Sequence, residues 1–442
     1  MQAQKHSWSN MLVVGFMLFA LFFGAGNLIF PTMLGQLAGE NVFWAILGFI
    51  VTGVSLPVLS IIAIAYSGES DVQSLAGRVH PWYGVLFTVT LYLSIGPLFA
   101  IPRTGTVSYE IGIRPFLAET ESFVPLFIFS LIYFGITLFF SLQAKRIVDI
   151  VGKMLTPVLL IFILLLIIAA FANPMGKLQP AAETYAENSF FVGFKEGYLT
   201  MDAIAAFVFG IIIINIMKSY GAETKKEIVL TSTKVALVAG VLLGSIYASL
   251  AYLGATSVEQ FGILPNGGAI LASAADYYFG SYGKIILAVI VIFACLTTSI
   301  GLVTSCATYF HKLVPALSYT VWAIIFTVVS TVFSNFGLNT LIKISVPVLS
   351  TIYPLAICLM ILTFLHKFFG ARKEVYQWAS IVTLIISVIR EFHIDVFGLN
   401  TLLENFLPLY KVGLGWLLPA IVAGIFGFFI SKTKKENETS AD

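Results

Sequence analysis

The sequence predicts an all-α polytopic membrane protein of about twelve transmembrane helices. Three observations carry that class. The 442 residues are 59% hydrophobic and 10% charged, with a mean hydropathy of +0.96. An ordinary soluble domain is about 25% charged, so a soluble core could not hide this much apolar surface. The apolar runs also continue unbroken for about 20 residues, enough to cross a bilayer as helix, where an outer-membrane barrel would show roughly ten-residue alternating segments. Finally, the connections between runs are short, and none fits a soluble domain.

Twelve spans are predicted, over residues 11–37, 41–66, 82–107, 123–141, 150–172, 194–217, 228–254, 281–309, 315–333, 339–365, 375–392 and 412–430. The first is too long for a signal-peptide core and lacks a small-residue cleavage site, so it is expected to be retained. The longest connections are 173–193 and 255–280. The tail from 431 to 442, "SKTKKENETSAD", is polar and charged enough to be disordered. With the N-terminus placed inside, 16 of the 24 Lys and Arg fall on the cytoplasmic side, among them Lys5, Arg78, Lys145, Arg146, Lys153 and Lys373. That bias places both termini in the cytoplasm, which requires an even span count.

Spans 1–5 (residues 11–172) and 6–10 (residues 194–365) read as two halves, followed by two additional helices over 375–430. Each half opens on a span with awkward residues at mid-depth: "GAGN" in span 1 and "TMDAIAAFVFG" in span 6. Five is odd, so two such halves have opposite topology. Inverted repeats with broken first helices mark secondary transporters, whose substrates bind where the helices break.

Gly24, Ala25, Gly26 and Asn27 interrupt span 1 ahead of Pro31, which has no N–H to return to residue 27. Glycines alone could serve helix packing. With Asn27 and Pro31 they free backbone groups around residues 20–27. Freed N–H groups can hold a carboxylate, and freed carbonyls a cation.

Asp202, a few residues into span 6, is costly inside lipid. It reads either as a solvated residue near the outer interface or as a cation ligand or proton carrier. In span 8, "ACLTTSIGL" sets Thr297, Thr298 and Ser299 in an apolar helix. Such hydroxyls often bond their own i−4 carbonyl. With neighbouring carbonyls they also form an oxygen cage for a hard monovalent cation.

Arg103, late in span 3 after Pro97 and Pro102, either snorkels to the interface, gates the outer vestibule or meets an anionic substrate group. Both prolines should bend the span. Lys343 in span 10 is a weaker case of the same kind, and Phe207 is a candidate pocket wall. The three cysteines (Cys295, Cys306 and Cys358) fall in apolar runs without metal-ligand spacing, and the five histidines sit at span ends or in loops. No nucleophile–base pair and no basic patch for nucleic acid are present, so neither an enzyme nor a nucleic-acid binder is expected.

"FALFFGAGNLIFPTMLGQLAG" at 19–39, "GPLFAIPRTGTVSYEIG" at 96–112 and "EGYLTMDAIAAFVFG" at 196–210 resemble the bacterial branched-chain amino acid:cation symporters, and the likeness covers essentially the whole chain. The resemblance implies transport of leucine, isoleucine and valine, typically with sodium, on the five-plus-five inverted-repeat fold of the bacterial leucine transporter. Carried over by residue, Gly24, Ala25 and Gly26 match the stretch whose amides hold the substrate carboxylate. Asn27 matches a side-chain sodium ligand, and Asp202 falls close to a sodium-ligand hydroxyl. Ala294, Thr297 and Thr298 match one half of a second sodium site, and the carbonyls of Ala20 and Phe23 the other. The chain departs from the pattern at Asp202, which replaces a hydroxyl, and at Arg103, which has no counterpart.

The expectation is therefore a bacterial cytoplasmic-membrane symporter with branched-chain amino acids, sodium and the lipid bilayer as partners. Na+ is the coupling ion, and no other cofactor is expected. A proton-coupled transporter of the same fold is the alternative, and an ion channel the alternative of a different class.

Overall fold

The computed structural model describes residues 8–69, 71–117, 123–142, 156–395 and 398–439. Lys5, Lys145, Arg146 and Lys153, counted above in the charge bias, lie outside the described residues, as do the last three residues of the tail. No strand occurs among the described residues.

The helices are α1 (Trp8–Phe22), α2 (Ala25–Ala38), α3 (Val42–Ile50), α4 (Leu56–Ser67), α5 (Val72–Ala76), α6 (Pro81–Leu93), α7 (Ala100–Gly112), α8 (Phe123–Ser141), α9 (Thr156–Ala172) and α10 (Glu183–Ala186). They continue as α11 (Ser189–Glu196), α12 (Asp202–Ser219), α13 (Lys225–Thr256), α14 (Val258–Phe261), α15 (Gly267–Leu313), α16 (Tyr319–Ser334), α17 (Leu338–Leu365), α18 (Lys373–Glu391), α19 (Leu399–Phe406) and α20 (Leu417–Thr439).

Among the described residues, seven segments are long and apolar enough to cross a membrane, and four more apolar helices are shorter. Together with α18 they fall on the twelve predicted spans. The differences have local causes. The connections 173–193 and 255–280 are not plain loops: they carry α10, most of α11, α14 and the start of α15. Gly280, at φ +62°, divides α15 into a leading arm and the span proper, a conformation that side chains disfavour. α20 runs on to Thr439, through most of the segment expected to be disordered; its Lys and Glu are good helix formers.

Span 3 bends once. The turn Ser94–Leu98 holds Gly96 in a non-helical conformation beside Pro97. Pro102 causes no bend, because it sits in the first turn of α7, where a missing N–H costs nothing. Span 2 carries a π-type turn at Val51–Ser55, just ahead of Pro57, and the Leu56 N–H reaches back to Val51 O.

The centre is built on close backbone approach. α13 packs along α2, and a Cβ on Gly254 would run into the Thr32 carbonyl oxygen, while one on Gly35 would meet Ala251 O. Overpacking at such a seam typically costs ~1–3 kcal/mol. Gly254→Val is expected to lower the thermal unfolding temperature of the detergent-solubilised protein. Gly301→Ala, where nothing lies within 4 Å of the added carbon, should leave it unchanged.

Candidate functional site: two broken helices

Span 1 opens between α1 and α2. The Phe23 N–H still bonds Phe19 O, but the Gly24 N–H turns to Asn27 Oδ1 at 2.9 Å. Gly24 itself is extended. Chain direction then resumes as helix, and α2 continues through Pro31. The Ala20 carbonyl, which a continuous helix would pair with the Gly24 N–H, is released at the end of α1. At the same place the amides of Ala25, Gly26 and Asn27 form the first turn of α2, where a helix leaves N–H groups without internal partners.

Span 6 opens beside it. The 3₁₀ turn Gly197–Thr200 ends at Met201, which takes a left-handed φ of +65°, and α12 starts at Asp202. The Thr200 hydroxyl donates to Gly197 O at 2.9 Å. Asp202 is 2% exposed, so it is not a solvated interfacial residue.

One side chain joins the two breaks. Asn27 Nδ2 donates to Asp202 Oδ2 at 2.6 Å and also bonds the Tyr247 hydroxyl. The Tyr247 O–H in turn donates to Asp202 Oδ2 at 2.7 Å. Asn27 thus spends its carbonyl on Gly24 and its amide on spans 6 and 7. Tyr247 was not singled out from the sequence. A tyrosine in the middle of "SIYASLAYLG" is the available signal, because a buried hydroxyl in an apolar helix needs a partner.

Arg103 does not snorkel. It is 4% exposed and reaches inward from α7. Nη1 donates to Leu199 O at 2.6 Å and Nη2 to Thr200 O at 3.4 Å, the carbonyls that the span 6 break sets free. The guanidinium stacks on Phe30, 5.0 Å from the ring centroid. It also lies against Gly26, whose missing Cβ would stand 2.8 Å from Nη2. Nε is buried without a partner. Arg103 therefore faces both breaks, one cation opposite one carboxylate. Lys343 lies elsewhere, on α17, outside this cluster.

A cavity of about 40 Å³ lies between the breaks. Gly24, Ala25, Gly26, Asn27, Arg103 and Asp202 all border it, as do Thr200 and Thr298. Its apolar wall is Phe22, Ile95, Phe209 and Leu302, with the Phe22 and Phe209 rings 5.9 Å apart. Phe207 is buried but does not line it. Residues 205 and 209 share the cavity-facing side of α12, and position 207 is turned about 200° from 205.

In span 8, Thr298 packs against the break: a Cβ on Gly24 would lie 3.3 Å from its Oγ1. Thr297 and Thr298 donate to Ala294 O at 2.7 and 3.2 Å. Their protons are used in this way, and the oxygen lone pairs stay available to a cation. Ala20 lies in the last turn of α1 and Phe23 directly follows it, and neither borders the cavity.

Two substitutions test this geometry. Asn27→Ala leaves the Gly24 N–H without its partner and Asp202 with Tyr247 alone, a loss of about 1–3 kcal/mol for each buried group unpaired. The thermal unfolding temperature of the detergent-solubilised protein should fall. Arg103→Lys keeps the charge but loses the fork that spans two carbonyls. Uptake should drop roughly tenfold at equal protein in the membrane, the size of one charge-assisted bond.

The chain matches a family model described as "Branched-chain amino acid transport protein" over residues 7–434. It is 51% identical to the branched-chain amino acid permease BrnQ of Bacillus subtilis (strain 168) over 432 residues, covering 97% of this chain and 98% of that one. It is 39% identical to the permease BrnQ of Escherichia coli (strain K12), with 98% of each chain covered. Among solved structures it is similar to MhsT in complex with L-phenylalanine (TM-score 0.58, 17% identity, 94% of this chain and 98% of that one). It is also similar to the inward-facing conformation of Mhp1 (TM-score 0.61, 15% identity, 95% and 91%). At those identities the structures show a shared fold, while the sequence relatives reach further: the chain belongs to the branched-chain amino acid transport protein family.

Proposed function

We propose that the protein imports leucine, isoleucine and valine across a bacterial cytoplasmic membrane, coupled to the entry of Na+. The observation that carries this reading is that Arg103 and Asp202, one cation and one carboxylate, border the same cavity at two adjacent helix breaks. A zwitterion presents the complementary charges. Its carboxylate would take the α2 amides near Gly24, Ala25 and Gly26 together with the Arg103 guanidinium, a geometry suited to anions. Its ammonium would face Asp202. The aliphatic side chain would fill the space beside Phe22 and Phe209, which must part to admit it. An apolar wall separates substrates differing by one methylene by only about 1–3 kcal/mol, so one site can serve all three.

For the ion, the released Ala20 carbonyl and the Phe23 carbonyl, the Ala294 carbonyl and the hydroxyls of Thr297 and Thr298 would supply a cage of hard oxygen ligands, the kind that suits Na+. The two breaks fit the wider reading of residues 11–172 and 194–365 as inverted halves with both termini cytoplasmic. A second reading rests on Asp202 itself. Its carboxylate is bonded by Asn27 and Tyr247, and that arrangement would also suit a proton carrier.

Uptake of labelled isoleucine into proteoliposomes, with and without an inward sodium gradient at fixed pH, separates the two. Sodium coupling requires uptake to collapse without the gradient, and full uptake in sodium-free buffer rejects it in favour of the proton. Thr298→Ala should raise the sodium concentration needed for half-maximal uptake; an unchanged requirement moves the ion away from span 8.

A further inference from the structure

α17, α18 and α20 enclose an apolar groove of about 280 Å³ that shares no lining residue with the cavity between the helix breaks. Its wall on α20 is one helical face from Leu417 to Phe428, with Ala420 and Gly424 as its floor. Twelve residues of helix make the groove about 18 Å long. One leaflet of a bilayer's hydrocarbon core is about 15 Å deep.

The Phe428 end of the groove is basic. The stretch 366–375 joining α17 to α18 holds Lys367, Arg372 and Lys373 against a single carboxylate, Glu374. Arg372 lies on the Phe428 ring, 4.2 Å from its centroid, and donates through Nη1 to Phe428 O at 2.8 Å. Lys367 and Lys373 are exposed and form no ion pair among the described residues. Phe368, between them, is 86% exposed. At the opposite end, Trp416 borders the groove and is buried, with Nε1 lacking any partner.

We propose that this groove is a binding site for an anionic phospholipid. One acyl chain lies along Ala420 and Gly424, and the phosphate-bearing headgroup meets Lys367, Arg372 and Lys373. Groove length matches a leaflet and not a whole membrane, so the occupant is a lipid chain anchored at one interface. The basic end selects among lipids, because each Lys or Arg near an anionic membrane surface contributes about fivefold in affinity. A second copy of the chain would explain the apolar groove but not the basic collar at one end.

The test uses the full chain, delipidated in detergent and titrated with phosphatidylglycerol or phosphatidylcholine of identical acyl chains, with bound lipid counted by native mass spectrometry. The wild type should bind phosphatidylglycerol roughly tenfold or more tighter than phosphatidylcholine. Lys367→Gln/Lys373→Gln, which alters exposed residues alone, should erase most of that preference. Gly424→Leu fills the groove floor and should abolish binding of both lipids. Equal binding of the two lipids by the wild type overturns the proposal, as does an unaltered preference in the double variant. A concentration-dependent dimer that Gly424→Leu dissociates, without any lipid retained by the wild type, also overturns it, assigning the groove to a second copy.

Discussion

Asn27 resolves a conflict that the membrane imposes. Inside lipid every backbone N–H and C=O needs a partner, and a helix can break only where something else supplies one. The Asn27 carbonyl takes the N–H that Gly24 withdraws from the helix, so α2 restarts capped. Its amide then fastens that restart to Asp202 on α12 and Tyr247 on α13. Spans 1, 6 and 7 are locked at one depth by a single side chain. The glycine seam between α2 and α13 keeps the distance short enough for Tyr247 to arrive.

Arg103 performs the matching service for span 6. The turn at Gly197–Thr200 releases carbonyls, and the guanidinium covers those of Leu199 and Thr200. A buried charge of either sign is costly in a membrane unless it is paired or hydrogen-bonded. Here the cation is spread over two backbone oxygens and an aromatic face, and the carboxylate is held by an amide and a phenol. The two charges face one cavity without cancelling in a direct salt bridge among the described residues. Each keeps part of its field directed at whatever enters.

The periphery follows different physics. Spans 10 to 12 meet through small residues such as Ala379, Ala420 and Gly424, and they leave an apolar furrow rather than a polar cavity. Polar groups converge at the breaks because unwound backbone must be satisfied there. At the groove the segments of α17, α18 and α20 that line it stay helical, and its charged side chains are confined to one end.

The spans, their number and the position of the span 1 break were all legible in the sequence, because hydropathy and helix-breaking chemistry are local. Asp202 stood out for the same reason: a carboxylate in an apolar run needs no neighbour to be conspicuous. What those residues face was not legible. Arg103 was equally compatible with snorkelling and with burial, since its direction depends on which way α7 is rotated after the bend at Gly96 and Pro97. Phe207 and Phe209 are indistinguishable by composition, yet two residues on a helix point to nearly opposite sides. Packing against α1 chose Phe209. Tyr247 is 220 residues from Asn27, a separation across which no local pattern carries information. The sequence by itself determined where the helices had to break. The tertiary structure decided which side chains meet there, because the partners of a freed backbone group are set by helix rotation and packing distance.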